Sequence, residues 1–361
     1  MQLGMAKGIK FGIVGTGRMA ATMMRALDAV SDIEVIAVTS ASLDRARGFA
    51  ERFKIPAFYG SLNEFLRDDA IAAVYIANRN LDHALATIAA LEAGKAVLCE
   101  KPFAINVKQG EAVLVAARTA GKLFMEAMWT PFLPAYERLL ELVRAETFGK
   151  PTHLTFDFGY PENEKTYSSL FAPDDGGVLL DRSAYGISLA LRILGDVKTV
   201  DASLGASDSG VDVDASLQLT HCGGGQSQLG FSLTSVMSNS ASVACESGLV
   251  GLMPPTIGAE AVFLRHVVAD RSRGGVSDRP RLKHRIVSSL RRRTLFRRAR
   301  ATASRPKIEY HTFGTDPYLP LLRHFIGLLS TGRVESGVNT WGSSLAVLRI
   351  IEAAKARKFS Q

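Results

Sequence analysis

Two stretches of this chain hold residue types that do chemistry only where a fold delivers them to a cleft. In Val97-Leu98-Cys99-Glu100-Lys101-Pro102-Phe103, an apolar run fit for a buried strand ends in an acid, a base and a proline. An unpaired buried charge is costly and proline cannot extend a strand ladder, so this end is not expected in the core. In Gly15-Thr16-Gly17-Arg18-Met19-Ala20, the pattern GxGxxA stands between an apolar strand, residues 9 to 14, and a helix. Gly15 would allow the tight turn, Gly17 the approach of a pyrophosphate to the helix N-terminus, and Ala20 close packing of helix on sheet. Thr16, Arg18 and Met19 complete this candidate cofactor loop. Alone, the pattern also describes an ordinary glycine turn; the strand and helix on its flanks favour a dinucleotide.

The elements around these stretches alternate. Met19, Met23, Ala26, Leu27 and Val30 recur at helical spacing after the loop, and residues 33 to 39 read as the next strand. Ser42 can cap a second helix whose Ala46, Phe49, Ala50 and Phe53 share one face, and Ser61-Leu62-Asn63-Glu64 has the form of a capping box. Strands at 72 to 77 and 96 to 99 flank a helix from Leu81 to Ala93, which Gly94 ends. Apolar strands alternating with amphipathic helices predict a parallel sheet covered on both faces, with ligands bound beyond the carboxyl ends of the strands. Glu100 and Lys101 lie at such an end. The second strand carries no acid at its own end for the ribose of NAD, the first being Asp44. Ser40, Ser42 and Arg45 could instead bond a 2′-phosphate, which points to NADP, with NAD the alternative.

The 361 residues, 47% of them hydrophobic and 22% charged, suffice for two sizeable cores. No apolar stretch approaches the roughly 18 residues that span a bilayer. The first residues lack the long apolar segment of a signal peptide, so a cytoplasmic location is expected. Cys99, Cys222 and Cys245 are widely spaced and suggest small buried hydrophobes, neither a disulfide framework nor a zinc site. His153 and His221 lie in strand patterns and read as structural, and no histidine and carboxylate spacing argues for a metal. The net charge of +8 is local: residues 271 to 307 hold fourteen Lys or Arg against one acid, Asp278, and the remainder is mildly acidic.

The glycine loop and Glu100-Lys101-Pro102, together with residues 126 to 139, 176 to 195 and 344 to 354, resemble the Gfo/Idh/MocA family of oxidoreductases, in its dihydrodiol and sugar dehydrogenase branch. The resemblance implies an α/β protein: an N-terminal Rossmann domain, residues 1 to 127, and a C-terminal α/β domain, residues 128 to 361, with an open, mostly antiparallel sheet. Alternation in residues 152 to 158, 214 to 221, 225 to 235 and 241 to 247, and a glycine turn at 223 to 225, support that sheet independently. The resemblance further implies a homodimer or homotetramer through the sheet, a sugar-like substrate, and catalytic roles for Lys101, Asp181 and Tyr185. Chemistry agrees with that assignment. A hydroxyl proton needs a base as hydride leaves for nicotinamide, and a Lys101 ammonium would bring the phenol of Tyr185 down from about 10 toward neutrality. Asp181, four residues before Tyr185, would share its helix face. Lys101-Pro102 is expected to be cis.

The family pattern T-P-N-xx-H after the fourth strand is here Asn78-Arg79-Asn80-Leu81-Asp82-His83. Asn80 and His83 match and join Glu100 in the cofactor-binding set. Arg79, in place of proline, reads as a contact for an anionic substrate or cofactor phosphate, or as a surface arginine. Pro131 stands where related dehydrogenases have arginine, and Trp129 reads as a wall of the substrate site or a buried aromatic. An insertion at about 265 to 310 contains the basic amphipathic stretch 279 to 301, with Leu282, Ile286 and Leu290 every four residues. It could rest on an anionic membrane, cover the active site, or be a solvated excursion. Nucleic acid is not expected, since Phe296 alone offers a ring for stacking. The reading is an NAD(P)-dependent dehydrogenase or reductase acting on CH–OH groups. A sensor of dinucleotide or sugar with the same fold, or a nicotinamide-recycling glycosidase, are the alternatives.

Overall fold

The computed structural model describes residues 8–267 and 305–357. Strands β1 (Ile9–Val14), β2 (Ile33–Thr39), β3 (Ala57–Tyr59), β4 (Ala73–Ile76), β5 (Ala96–Cys99) and β6 (Phe124–Glu126) form one sheet in the order β3-β2-β1-β4-β5-β6, every pair parallel. β4 and β5 are buried at every position because helices cover both faces, as a parallel sheet requires. The covering helices are α1 (Arg18–Asp28), α2 (Leu43–Phe53), α3 (Leu62–Leu66), α4 (Asn80–Glu92) and α5 (Val107–Ala120). Strand order reverses between β1 and β4, so the loops leaving them diverge and open a crevice.

Ser42 caps α2, its Oγ accepting from the Arg45 amide at 3.4 Å. Ser61 makes no such bond to α3, so the capping box expected there is not formed. β3 and β6, three residues each, are too short to show a period in the sequence.

The second sheet contains β7 (Pro151–Gly159), β8 (Val197–Ala206), β9 (Asp212–His221), β10 (Gln226–Ser232), β11 (Ala241–Cys245), β12 (Gly248–Leu252), β13 (Ala261–His266) and β14 (Lys307–Tyr310). Their order is β14-β13-β12-β11-β7-β10-β9-β8, and only β7 and β10 run parallel. In β9, Val213, Ala215, Leu217 and Leu219 face the core while Ser216 and Gln218 face outward, which is the alternation in the sequence. Gly224, at φ +86°, turns the β9–β10 hairpin. Helices α6 (Pro134–Arg144) and α7 (Ala184–Leu194) cover the inner face.

The last two helices tie the sheets together. Phe325 of α8 (Leu319–Ser330) meets Phe11 of β1 edge-on with ring centres 5.9 Å apart. α9 (Trp341–Lys355) packs Leu345 and Leu348 against Gly110 of α5, where a Cβ would approach Leu348 to 2.9 Å. β13 and β14 pair antiparallel, from Ala261 with Tyr310 to Leu264 with Lys307. Residues 265 to 266 and 307 to 310, assigned to the insertion from sequence, therefore belong to the sheet. The basic stretch 279 to 301 and its expected helix lie outside the described residues. Cys99 is buried as expected, but Cys222 is exposed because it follows β9 into the hairpin turn. No helix among the described residues is long and apolar enough to cross a membrane.

Candidate active site

Gly15 adopts φ +107°, and a Cβ there would lie 2.5 Å from the Ala77 carbonyl oxygen at the end of β4. Only glycine fits both constraints. Gly17 is the N-cap of α1, has open space where a Cβ would stand, and leaves the helix start without a side-chain cap or an acid in its first turn. The amides at that helix end are thus available to an anion, and the loop fits a dinucleotide pyrophosphate. Ala20 is fully buried between helix and sheet; Thr16 and Met19 are half-buried. Arg18 is exposed, and its guanidinium stands 4.2 Å from the centre of the Tyr167 ring. Beyond β2, the Ser42 hydroxyl is engaged as a cap. Ser40, half-buried, and Arg45, exposed, make no side-chain hydrogen bond among the described residues.

After β5 the Lys101-Pro102 bond is cis, as expected. Two buried side chains fix this turn from behind. A ring nitrogen of His83, Nδ1, lies 2.8 Å from the Pro102 carbonyl oxygen and must donate, since that oxygen can only accept. Burial lowers the pKa of His83, which keeps the ring neutral. Glu126 accepts from the Phe103 amide at 3.3 Å and from the Ser344 hydroxyl at 2.6 Å, joining the turn to α9. The Glu100 carboxylate is buried and accepts from the Tyr75 hydroxyl of β4; burial pushes its pKa up to about 7. Glu100 and the Nδ1 of His83, grouped with the cofactor contacts from sequence, are therefore engaged within the protein, while His83 Nε2 is buried without a hydrogen-bond partner among the described residues.

Arg79 and Asn80 are occupied as well. Asp175, from the second domain and 3% exposed, accepts from Arg79 Nη2 at 3.0 Å and from the Leu81 amide at 3.2 Å, while Asn80 Nδ2 donates to the Asp175 carbonyl at 2.9 Å.

Lys101 crosses to the second domain. Its Nζ donates to Asp181 Oδ1 at 2.9 Å and to the Asp181 carbonyl at 2.6 Å, and lies 4.9 Å from the centre of the Tyr185 ring. Burial alone would lower the lysine pKa, but the negative charge of Asp181 raises it, so the ammonium stays charged. Burial likewise opposes the charge on Asp181, and Lys101 with Arg182 holds that pKa below the usual carboxylate value. For Tyr185 the balance falls the other way. Burial raises its pKa, the Asp181 charge adds to this, and the opposing Lys101 ammonium does not overcome them. The lowered phenol expected from sequence is corrected here: Lys101 faces the ring but its charge is already shared with Asp181.

Asp181 and Tyr185 share a face as expected, but through a π-helical turn, Leu179–Ser183, that leads into α7. Such turns are frequent at functional sites. Asp212 accepts from the Leu179 amide at 2.8 Å. Arg182, almost fully buried, donates to Glu162 at 2.6 Å, to the Tyr160 carbonyl at 2.9 Å and to the Ser232 carbonyl. Trp129 is 8% exposed and packs against Tyr318 with ring centres 5.0 Å apart and ring planes tilted by 43°. Tyr318, Tyr75, Asp175 and Arg182 escaped the sequence reading. Arg182 and Asp175 flank recognised motifs, but a partner distant in the chain gives no local signal.

A shallow concavity of about 630 Å³ lies elsewhere, across the outer face of the second sheet between Thr155, Asp157, Ser203, Gln218, Gln228 and Met237. It is lined by no lysine, tyrosine or histidine, so it lacks the proton-transfer groups that gather around Lys101.

Comparison with known proteins agrees with the two-sheet architecture. Residues 9–128 match the GFO_IDH_MocA model, an oxidoreductase family with an NAD-binding Rossmann fold, and residues 136–250 match the GFO/IDH/MocA C-terminal domain. A trans-1,2-dihydrobenzene-1,2-diol dehydrogenase of Sus scrofa is 33% identical over 252 residues, 68% of this chain and 75% of the relative. Among solved structures, KijD10, a 3-ketoreductase from Actinomadura kijaniata in complex with NADP and TDP-benzene, superposes with a TM-score of 0.78 at 23% identity, covering 97% of this chain and 98% of that one. A levoglucosan dehydrogenase in complex with NADH and levoglucosan gives 0.77 at 16% identity, covering 97% of each chain.

Proposed function

The chain belongs to the GFO/IDH/MocA family of NAD(P)-binding oxidoreductases, and from that premise we propose that it transfers a hydride between NADP or NAD and a secondary alcohol or carbonyl of a sugar-like substrate. The observation that carries this is the meeting of Lys101, from the end of β5, with Asp181 and Tyr185 from the second domain. That meeting lies beyond the carboxyl ends of the strands, where Rossmann ligands bind.

Bound nicotinamide supplies or accepts the hydride. The chain's own residues manage the proton and the charge. Tyr185, its pKa raised, is protonated at neutral pH, and Lys101 is charged. These are the states from which a carbonyl is reduced: Tyr185 gives its proton to the oxygen while the Lys101 ammonium stabilises the negative charge forming there. In the reverse direction the phenolate takes the hydroxyl proton. Asp181 orients Lys101 and keeps it ionised. Trp129 and Tyr318 offer an aromatic wall to the apolar face of a ring.

The relatives' names, a dihydrobenzenediol dehydrogenase, a 3-ketoreductase and a levoglucosan dehydrogenase, support a ring-borne hydroxyl or ketone as the reacting group. The acid-free end of β2, with Ser40 and Arg45 disengaged, supports NADP over NAD. Self-association through the outer face of the second sheet is proposed on its continuous concavity. Titration of the purified protein with NADPH and NADH, followed by energy transfer from tryptophan, tests the reading together with turnover on levoglucosan, trans-1,2-dihydrobenzene-1,2-diol and keto-sugars. Selective NADPH binding is expected; binding of neither, once copurified cofactor is excluded, would sink it.

A further inference from the structure

The segment from 160 to 178 joins β7 to the π turn and touches both lips of the cofactor crevice. On one side Tyr167 lies over Arg18, the residue after Gly17. On the other, Asp175 is bonded at the start of α4 by Arg79, Asn80 and the Leu81 amide. Between these contacts a short 3-10 turn, Ser168–Phe171, carries the chain from lip to lip. The two lips are the loops after β1 and β4, where the strand order reverses. A dinucleotide seated on the α1 N-terminus would therefore lie beneath this segment.

We propose that residues 160 to 178 form a strap across the cofactor crevice, latched by Asp175 on Arg79 and the α4 N-terminus, and that the cofactor enters and leaves by opening this latch. The proposal rests on the function given above. The bond set suits the role: a buried carboxylate that meets a guanidinium and a helix N-terminal amide is held by charge-assisted hydrogen bonds and by the helix dipole. Yet the Arg79 side chain is 61% exposed, so water can reach and exchange the contact. Asp175 is also tied to the site. It precedes Gly176-Gly177, with Gly177 at φ +95°, and six residues on stands Asp181, which binds Lys101. At its other end the strap supplies Glu162 to Arg182. Asp175 is thus a positioning residue: closing the latch sets the π turn against the Rossmann domain without touching the reacting atoms.

The test is the rate of NADPH release from the full chain, by stopped-flow displacement, in the wild type, Asp175→Asn, Arg79→Ala and the double variant, with hydrogen exchange of 160 to 178 followed in the absence of cofactor. Each single variant is expected to release NADPH about tenfold faster or more. The double should be no faster than the faster single, because both break one contact. In Asp175→Asn the strap amides should exchange faster, and KM for the cofactor should rise by a larger factor than kcat falls. Release at the wild-type rate in the single variants overturns the latch whatever the exchange shows, and so does additivity in the double. Failure of the wild type to bind either NADPH or NADH overturns the function itself, and the latch with it.

Discussion

Glu100 and Lys101 are neighbours in sequence, the first 5% exposed and the second with a side chain 11% exposed, yet burial wins over one and loses to the other. Glu100 faces the β4 side, where its partner is the neutral hydroxyl of Tyr75; burial sets the balance and the pKa climbs to about 7. Lys101 faces the second domain, where Asp181 meets it with a full opposite charge, and the ammonium is stabilised in spite of burial. The Lys101 side continues as alternating charges through Asp181, Arg182 and Glu162. The Glu100 side is a wall of hydrogen-bonded carboxyl groups, Glu126 included, whose pKa values burial raises. The lesson is that an adjacent pair can be divided between structure and chemistry by the partners each finds across the fold.

Removing the charged member should have the larger effect. Lys101→Met takes away the ammonium proposed to face the substrate oxygen and leaves Arg182, 3.7 Å away, as the remaining ion-pair partner of Asp181 among the described residues. Turnover should fall roughly 100- to 1000-fold, with a lower melting temperature because a partly buried pair has been broken. Steady-state kinetics within tenfold of the wild type would place Lys101 outside the site.

Removing the wall carboxyl should act on stability and much less on rate. Glu100 is protonated in both the folded and unfolded chain below about 4.5. As pH rises toward about 7 the unfolded chain gives up the proton first, so the stability tied to the neutral carboxyl is lost across that window. Glu100→Gln keeps an acceptor for Tyr75 but cannot ionise. Its melting temperature should therefore decline less than that of the wild type between those two pH values. Parallel melting curves would mean that Glu100 ionises freely and that the contrast with Lys101 is smaller than its surroundings imply.

The same contrast explains what the sequence could disclose. The glycine loop and the Glu100-Lys101-Pro102 turn were legible because their constraints are local. A positive φ demands Gly15, and a charged strand end demands an opening. The alternation in β9 was legible because one strand carries it whole. The direction of the Tyr185 pKa was not, since it depends on how much of Lys101 is left over after Asp181. Nor were Asp175 and Tyr318, whose importance exists only once chain segments some 95 and 190 residues apart have been brought together. Arg79 shows the intermediate case. Its departure from the family pattern marked the position, and the fold supplied Asp175 as the partner.

The most direct test of the account is the single-turnover rate of hydride transfer in Tyr185→Phe at saturating NADPH, with the dissociation constant for NADPH measured on the same sample. Tyr185 exchanges the substrate proton in this account, so the rate should fall about 100-fold or more while NADPH binding stays within about threefold of the wild type. A wild-type rate in the phenylalanine variant would contradict it and leave Tyr185 as an aromatic of the site wall.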